Sequence, residues 1–529
     1  MTEQISTKVL GDLFDNNILV SPNIIEDIKN KKISSKQLLL MIEKAKTLGL
    51  LFIDKSLLEG VIDIKENSGE TFSEAGPNQI GENILELLAT SDEQKAKTPE
   101  MLPQQKKEEV KVIFSYSNES TKRTVQDFVQ HFTSRYKLLE QILSYRPELE
   151  GLTSISRLKS KEKKETASII GMVSEKSITK NNNFIMTLED TTGTISVMIN
   201  KNKPDLFKLA PDIVEDEVLA VSGSVGNNIL FANKIIFPDV PNKELKKAPE
   251  EVYAVFIGDT HFGSKYFLKN EFHRFIHWIR GELGDEKQKE LSSKVKYLFI
   301  SGDVVDGVGI YPNQEDDLDI KDIYEQYNEF VKYLKLIPSH INIIVCPGNH
   351  DAMRIAEPQP ILYKDLAEPV YKLENVTLVS NPGMVNILSS DFFPGFDVLL
   401  YHGSSFIYYA DAVESIRTAG GQKRPDLIMK FLLQKRHLAP THTSTLYIPD
   451  KKDTLVIEKV PDFFITGHIH RSSVSSYKNV SLLNCSSWLA QTAYQEKVGL
   501  IPQPARAVLT NLQTREIKIL KFGQEKETN

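Results

Sequence analysis

The chain has 529 residues, of which 40% are hydrophobic and 26% are charged. That length predicts two to four domains, at least one of them with a substantial core. Two cysteines, Cys346 and Cys485, exclude a disulfide framework and an all-cysteine zinc site, and they fit a reducing cytoplasm. A formal net charge of −7 argues against a globally basic nucleic-acid binder. No apolar run approaches the ~20 residues that span a membrane, so we expect no membrane association.

The first part of the chain alternates between helical and polar segments. Residues 1–60 repeat apolar positions at helical spacing, as in SSKQLLLMIEKAKTLGLLF, and predict a small helical domain. From 61 to 112 the composition shifts to Glu, Lys, Gln, Ser and Pro, which bury too little surface to fold, so a flexible linker is expected. Helical spacing returns in RTVQDFVQHFTSRYKLLEQILSYRP, which predicts a helical lead-in over 113–160.

A run of short strands separated by Gly and Asn turns follows over residues 161–240. Five such strands within about 75 residues predict a small closed barrel of the OB type. Sequence-tolerant binding of single strands needs exposed aromatic side chains. Few are present, chiefly Phe184 and Phe231, so a scaffold that positions the next domain is favoured over a barrel that stacks DNA bases.

From 250 to 529 the pattern changes to apolar strands separated by helices, which predicts a layered α/β sheet. Five of these strands end in polar motifs beside glycine: GDTH, GDVVDG, GNHD, YHG and GHIH. Ligands of open α/β sheets bind at the carboxyl ends of strands. The polar side chains delivered there are Asp259, His261, Asp303, Asp306, Asn349, His350, His402, His468 and His470.

Carboxylates gathered in one place repel each other unless cations neutralise them, so this constellation predicts metal. Carboxylate oxygens mixed with imidazole nitrogens suit Mn²⁺, Fe²⁺ or Zn²⁺ better than Ca²⁺, and Mg²⁺ is also possible. The ligands are about enough for two ions bridged by a shared carboxylate. Such pairs generate hydroxide at neutral pH and stabilise charge during in-line attack on phosphorus.

The five motifs together resemble the signature of the calcineurin-like metallophosphoesterase superfamily. The resemblance implies that one ion is held by Asp259, His261 and His470. It implies that the other is held by Asn349, His402 and His468, with Asp303 as the bridge. It further implies that His350 is an acid that assists the leaving group, that Asp351 orients His350, and that Asp306 supports a ligand from behind.

The segments between the motifs, such as PGNHDAMRIAEPQP and PDFFITGHIHRSSVSSYKNVSLLNCSSWLAQTAYQ, are similar to the small subunits of archaeal family D DNA polymerases. That resemblance implies a proofreading 3′–5′ exonuclease that pairs with a large catalytic subunit. It would act on single-stranded or mispaired DNA 3′ ends and release nucleoside 5′-monophosphates. Two alternatives stay open, a scaffold subunit without activity and a generic metallophosphatase or phosphodiesterase.

Two basic stretches are candidates for contacts with DNA phosphates, GGQKR at 420–424 and QKRH at 434–437. The substrate-binding candidates within them are Arg424, Lys435 and Arg436. The alternative interpretation is an ordinary solvated charged surface.

Overall fold

The chain divides into two compact units, residues 1–105 and 106–529. The computed structural model describes residues 19–20, 52–53, 110–117, 121–159, 165–497 and 499–523. In the first unit, β1 (Leu19–Val20) pairs in parallel with β2 (Phe52–Ile53). Apart from these two strands, the small helical domain predicted for 1–60 lies outside the described residues. The linker predicted for 61–112 also lies outside them, except for residues 110–112.

The second unit begins with β3 (Val110–Ser115), followed by α1 (Val125–Ser144) and the single turn α2 (Ile155–Leu158). The carboxylate of Asp127 accepts the main-chain N–H of Thr124 at 2.6 Å and so holds the start of α1. Helical spacing places one face of α1 against the rest of the unit. The buried residues of this face are His131, Arg135, Tyr136, Leu139 and Leu143.

Five strands then close into a barrel in the spatial order β4-β5-β6-β8-β7. They are β4 (Thr166–Ile178), β5 (Phe184–Asp190), β6 (Gly193–Ile199), β7 (Val218–Val225) and β8 (Ile229–Ile236), with the turn α3 (Pro204–Phe207) between β6 and β7. Alternate residues of β5 and β6 point into the core, as a strand with one buried face requires. The predicted barrel is therefore present.

The remaining elements alternate between strands and helices. In chain order they are β9 (Tyr253–Ile257), α4 (Lys269–Ile279), α5 (Glu286–Ser293), β10 (Val295–Ser301), α6 (Ile323–Leu334), β11 (Asn342–Cys346), α7 (Lys364–Tyr371), β12 (Val376–Leu378), β13 (Gly383–Ile387), β14 (Phe396–Leu400), α8 (Phe406–Ala412), α9 (Glu414–Thr418), α10 (Pro425–Lys435), β15 (Phe463–Thr466), β16 (Ser473–Tyr477), β17 (Val480–Asn484), α11 (Ala493–Lys497), β18 (Arg506–Asn511) and β19 (Ile517–Lys521). No helix among the described residues is long and apolar enough to cross a membrane.

Together with β3, these strands form two six-stranded sheets that pack face to face. The first has the order β12-β11-β10-β9-β18-β19 and the second the order β16-β17-β15-β14-β13-β3. Phe256 of β9 stacks on Phe463 of β15 with ring centres 6.0 Å apart, so alternate residues of each sheet fill the layer between them. The outer faces are covered by α4 and α6 on the first sheet and by α8 and α10 on the second. The result is a four-layered helix–sheet–sheet–helix sandwich.

The position of β3 corrects two predicted boundaries, the linker to 112 and the helical lead-in from 113. Val110 to Ser115 form an extended strand that pairs antiparallel with β13 at the edge of the second sheet. The sequence VKVIFS alternates only weakly between apolar and polar residues. It becomes a strand because β13 offers an open edge of main-chain hydrogen-bonding groups that β3 satisfies.

Candidate metal centre

The polar motifs lie at the carboxyl ends of strands from both sheets. β9, β10 and β11 run parallel, as do β14 and β15, so the loops that follow them meet at one end of the sandwich. The loop after β9 carries Asp259 and His261, and the loop after β10 carries Asp303. The loops after β11, β14 and β15 carry Asn349, His402, His468 and His470.

Four of these side chains stand on backbone in the left-handed region, which residues other than glycine rarely adopt. The φ angles are 50° at Asp259, 48° at His261, 48° at Asp303 and 64° at His468. The backbone turns sharply after each of these strands, and the turn directs the side chain across the end of the sheet. Unusual backbone geometry of this kind concentrates at functional sites.

Glycines make room for the carboxylates. A Cβ atom on Gly348 would lie 2.2 Å from Oδ1 of Asp303, and one on Gly467 would lie 2.6 Å from Oδ2 of Asp259. Both distances are too short for any side chain. Gly348 and Gly467 therefore allow neighbouring loops to approach closely enough to share one site.

Asp259, His261 and His470 form the first group of ligand-type atoms, which all lie within 4.8 Å of one another. Nε2 of His470 is 3.5 Å from Oδ1 of Asp259. Nδ1 of His261 is 3.1 Å from Oδ1 of Asp306, which leaves Nε2 of His261 pointing into the group. That Nε2 is buried and has no hydrogen-bond partner among the described residues. A buried imidazole with one nitrogen unpaired and the other bonded to a carboxylate is typical of a metal ligand.

Asp303, His402 and His468 form the second group, with Asn349 beside it. Nδ1 of His402 lies 2.8 Å from the carbonyl oxygen of Ser301, to which it can only donate. Nε2 of His402 then faces two acceptor oxygens, Oδ2 of Asp303 at 3.2 Å and Oδ1 of Asn349 at 3.0 Å. When Nε2 carries no proton, three lone pairs converge at this point, and a bound cation would relieve their repulsion.

Asp303 lies between the two groups. Its Oδ2 is 3.2 Å from Nε2 of His402 and 3.7 Å from Nε2 of His261. Its Oδ1 accepts the main-chain N–H of His350 at 2.8 Å, which fixes the carboxylate. This position suits the bridging role implied by the resemblance, although the roles of all seven ligand candidates stay predictions.

Burial and mutual charge set the protonation of the centre. Burial lowers the pKa of His468 to about 3 and also lowers that of His261, so both rings are neutral and able to bind metal. Burial would lower the pKa of His402 as well, but the charge and hydrogen bond of Asp303, together with the charge of Asp259 and the hydrogen bond to Ser301, raise that pKa to about 10. A proton on His402 thus neutralises Asp303 when no other cation does. The donor set fits two divalent ions in place of that proton.

His350 lies at the rim of the first group, with its ring 4.6 Å from that of His261. Its Nδ1 is 2.8 Å from the main-chain carbonyl oxygen of Asp306 and donates to it. This bond leaves Nε2 as the free nitrogen of the ring. Asp306 itself contacts His261 through one carboxylate oxygen and Gln314 through the other, at 3.0 Å, which agrees with a supporting position.

The orienting role expected of Asp351 is wrong. Its buried carboxylate accepts main-chain N–H groups of Val304 at 3.1 Å, Val305 at 3.2 Å and Gly348 at 2.7 Å, and it fastens the loop after β10 to the loop after β11. Burial, reinforced by the charge of Asp303, raises the pKa of Asp351 to about 7. The group that orients His350 is the Asp306 carbonyl.

Two of the three predicted DNA contacts are also wrong. Lys435 is buried at the end of α10, with Nζ 2.5 Å from Oε2 of Glu217 in the barrel. Arg436 is buried and donates to the carbonyl oxygens of Ile457 and Glu458. Lys435 joins α10 to the barrel, whereas Arg436 fastens the end of α10 to residues 457–458 of its own domain. Arg424 is exposed and pairs with Asp426 through two hydrogen bonds, so its role stays a prediction.

A cleft of about 120 Å³ opens beside the centre and was not predicted. His468 and His470 form one side of it, and its other residues include Ile407, Lys423 and Ile501. Gln495 of α11 also borders it, with Nε2 2.9 Å from Nδ1 of His470. Ile407, Gln495 and Ile501 lie far from the two histidines in the sequence or outside any motif, so only the folded chain brings them together.

Comparison with known proteins places both domains in families. Residues 253–472 match the calcineurin-like phosphoesterase family, and residues 167–236 match an OB-fold nucleic acid binding domain. A protein of Methanothermobacter thermautotrophicus named DNA polymerase II small subunit is 39% identical over 467 residues, which cover 88% of this chain and 93% of that protein. The chain belongs to the DNA polymerase II small subunits. Archaeoglobus fulgidus has a relative of the same name, 39% identical over 78% of this chain and 81% of its own length.

The small subunit of Pyrococcus furiosus is 40% identical over 75% of this chain, and the chain spans 64% of that longer relative. The superfamily inferred from the five motifs is confirmed, as is the likeness to polymerase small subunits inferred from the segments between them. The order of an OB barrel before a phosphoesterase domain is confirmed as well. The phosphoesterase family also implies divalent metal ions, for which the two groups described above are the candidates; His261, Asp306 and His350 form a third group of ligand-type atoms beside them.

Proposed function

We propose that this small subunit is the proofreading 3′–5′ exonuclease of a two-subunit replicative DNA polymerase. The observation that supports the proposal most strongly is the complete donor set, in which seven ligand-type side chains converge beside a histidine with a free ring nitrogen. The alternative of an inactive scaffold gives no reason to retain a buried, unpaired imidazole nitrogen on His261. The large catalytic subunit is the partner we infer, and the cytoplasm is the inferred location.

Two divalent ions, Mn²⁺ by preference, would supply a hydroxide nucleophile at neutral pH and neutralise the charge that develops on the scissile phosphate. Asp259, His261 and His470 would hold one, and Asn349, His402 and His468 the other. Asp303, fixed by the N–H of His350, keeps the two groups at a constant separation.

His350 donates the proton that the leaving group needs. The oxygen of the attacking water bonds to phosphorus, and the bond from phosphorus to the 3′-oxygen of the penultimate nucleotide breaks. That 3′-oxygen takes the proton from Nε2 of His350, whose ring enters the step protonated on both nitrogens and leaves it neutral. The Asp306 carbonyl holds Nδ1–H, so Nε2 stays directed away from the protein framework. The product is a nucleoside 5′-monophosphate.

The barrel supports the phosphoesterase domain in this proposal rather than stacking bases. Phe184 is buried against Phe207, with ring centres 4.9 Å apart, and is not available to a base. Phe231 is 42% exposed, but one aromatic side chain makes a poor stacking platform. A frayed, mispaired 3′ end would therefore reach the metal centre as a single strand held mainly by the phosphoesterase domain.

The test is digestion of a primer with a mismatched 3′ end by the purified chain in Mn²⁺, alone and with the large subunit. We expect stepwise shortening, and His350→Ala should lower the rate by about 10²–10⁴-fold while the complex still assembles. His277→Ala is the matched control, because His277 is exposed on α4 and pairs only with Glu282 near its own helix end. Primers left intact by the wild-type chain in both conditions would refute the proposal.

A further inference from the structure

The cleft beside His468 and His470 has no part in the hydrolysis described above. We propose that it is the subsite for the nucleoside of the 3′-terminal nucleotide, and this inference rests on the proposed exonuclease function. Its occupant would be the base and sugar that leave as the nucleoside 5′-monophosphate.

Aliphatic side chains line part of the cleft although it borders a strongly polar centre, and Gln422, Arg471 and Gln495 line it as well. Ile407 of α8 is 49% exposed and Ile501 is 63% exposed, and Leu500 and Pro502 extend the second wall. Branched aliphatic side chains exposed in a cleft can pack against a flat ring. They offer no hydrogen-bonding pattern that would distinguish one base from another, which suits an enzyme that removes any misplaced nucleotide.

The location of the cleft agrees with the path of the reacting strand. His350, which must meet the leaving 3′-oxygen, lies beside His261 and Asp306, whereas the cleft opens beside His468 and His470. The strand that remains after cleavage therefore departs on the His350 side. The terminal nucleoside is joined to the same phosphorus through its 5′-oxygen, so it diverges from the leaving strand and extends toward the cleft.

The cleft is also tied to the metal centre. The main-chain N–H of Gln503 donates to the carbonyl oxygen of His470 at 2.8 Å, and Arg471 donates to the carbonyl oxygen of Ile501 at 3.0 Å. These bonds fix the wall that carries Ile501 relative to a metal-ligand candidate. Lys423 is exposed, also lines the cleft and adds a positive charge to it, which suits a phosphorylated ligand.

Calorimetric titration of the full chain in Mn²⁺ with thymidine 5′-monophosphate and with 2-deoxyribose 5-phosphate tests the subsite. We expect the wild-type chain to bind the nucleotide at least about tenfold more tightly, because only the nucleotide carries a base. In the Ile407→Ala/Ile501→Ala variant the two ligands should bind within about twofold of each other. The control variant Ile178→Ala/Ile519→Ala removes exposed isoleucines of the barrel and of β19 and should keep the wild-type difference.

Equal affinity of the wild-type chain for both ligands would overturn the subsite, as would no binding of the nucleotide or a difference that survives in the cleft variant. The primer assay is read separately. Primer digestion without base discrimination would refute the subsite but support the exonuclease. Base discrimination without digestion would refute the exonuclease but support a nucleotide subsite.

Discussion

Gly348 controls the space next to the bridging carboxylate, since a Cβ there would lie 2.2 Å from Oδ1 of Asp303. We expect Gly348→Ala to push Asp303 out of line and to weaken Mn²⁺ binding by roughly 10–100-fold. Calorimetric titration with Mn²⁺ measures the effect. Gly523→Ala is the matched control, because its Cβ would meet only Ala505 at an ordinary 3.8 Å. Equal metal affinity of Gly348→Ala and wild type would contradict the argument.

Glu357 gives a prediction for pH. Burial raises the pKa of Glu357 from its usual value of 4.5 to about 7, although hydrogen bonds from Tyr401 and Asn381 lower it. The folded chain thus binds a proton that the unfolded chain releases between these pH values, so stability falls as pH rises from about 4.5 to about 7. The Glu357→Gln variant lacks this loss. The stability of wild type relative to the variant should fall by about 3 kcal/mol from pH 4.5 to pH 8.

Urea unfolding at several pH values provides that comparison. Parallel stability curves for wild type and Glu357→Gln would show that the carboxyl group titrates normally in the folded chain. A curve that rises with pH for wild type alone would give the opposite sign and would also contradict the prediction.

The residues of the metal centre were predictable because each combines a strand end, a glycine and a polar side chain within a few positions. The role of Asp351 was not predictable in this way. A carboxylate next to His350 in sequence can bond to the ring or to nearby N–H groups. The choice depends on where the backbone of Val304 and Val305 lies after folding.

At the scale of elements, α1 is fastened to the phosphoesterase domain by a fully buried carboxylate. Oδ2 of Asp453 lies 2.6 Å from Nε of Arg135, 3.2 Å from Nε2 of His131 and 2.9 Å from Nε2 of His437. We expect Arg135→Met to cost about 3 kcal/mol of unfolding free energy, because the carboxylate stays buried and loses its strongest partner. Lys137→Met, on the exposed face of the same helix, should change it by less than about 0.5 kcal/mol.

Hydrogen exchange measured by mass spectrometry would locate the effect. The amides of α1 should exchange faster in Arg135→Met than in Lys137→Met if the helix is held by this contact. Unchanged protection of α1 would mean that its apolar residues alone keep it in place.

Helical periodicity was sufficient to predict α1, but no comparable sequence pattern predicted β3. A 20-residue helix repeats its pattern over several turns, whereas VKVIFS has six residues and a mixed pattern of burial. Its state is decided by pairing with β13, which lies far along the chain. Strand preference of this kind depends on the neighbouring strand more than on the segment itself.

At the scale of the whole molecule, Lys435 and Glu217 join the phosphoesterase domain to the barrel. Burial lowers the pKa of Lys435 and raises that of Glu217, which shows that the pair is costly to keep charged. Lys435→Met should destabilise the chain by about 3–5 kcal/mol, because a buried carboxylate remains alone. The double variant Lys435→Met/Glu217→Met should recover to within about 1 kcal/mol of wild type.

Denaturant unfolding of the two single variants and the double variant forms the required cycle. Lys372→Met is the matched control, because Lys372 pairs with Glu368 on the exposed surface of α7 and should contribute less than about 1 kcal/mol. If the double variant stays destabilised, the charged pair stabilises the fold by more than two buried methionines would, which contradicts the prediction. Sequence analysis could identify both domains but not this contact, because a basic residue at the end of a helix is normally solvated.

The strand β3 has a further consequence for how the chain is made. It leaves the ribosome before the barrel, yet its partner β13 is translated only after the barrel and nearly half of the phosphoesterase domain. At roughly 5–20 residues per second, β3 waits on the order of tens of seconds for that partner. The barrel can mature during this interval, so the second sheet is sealed by a segment that was among the first of its unit to be synthesised.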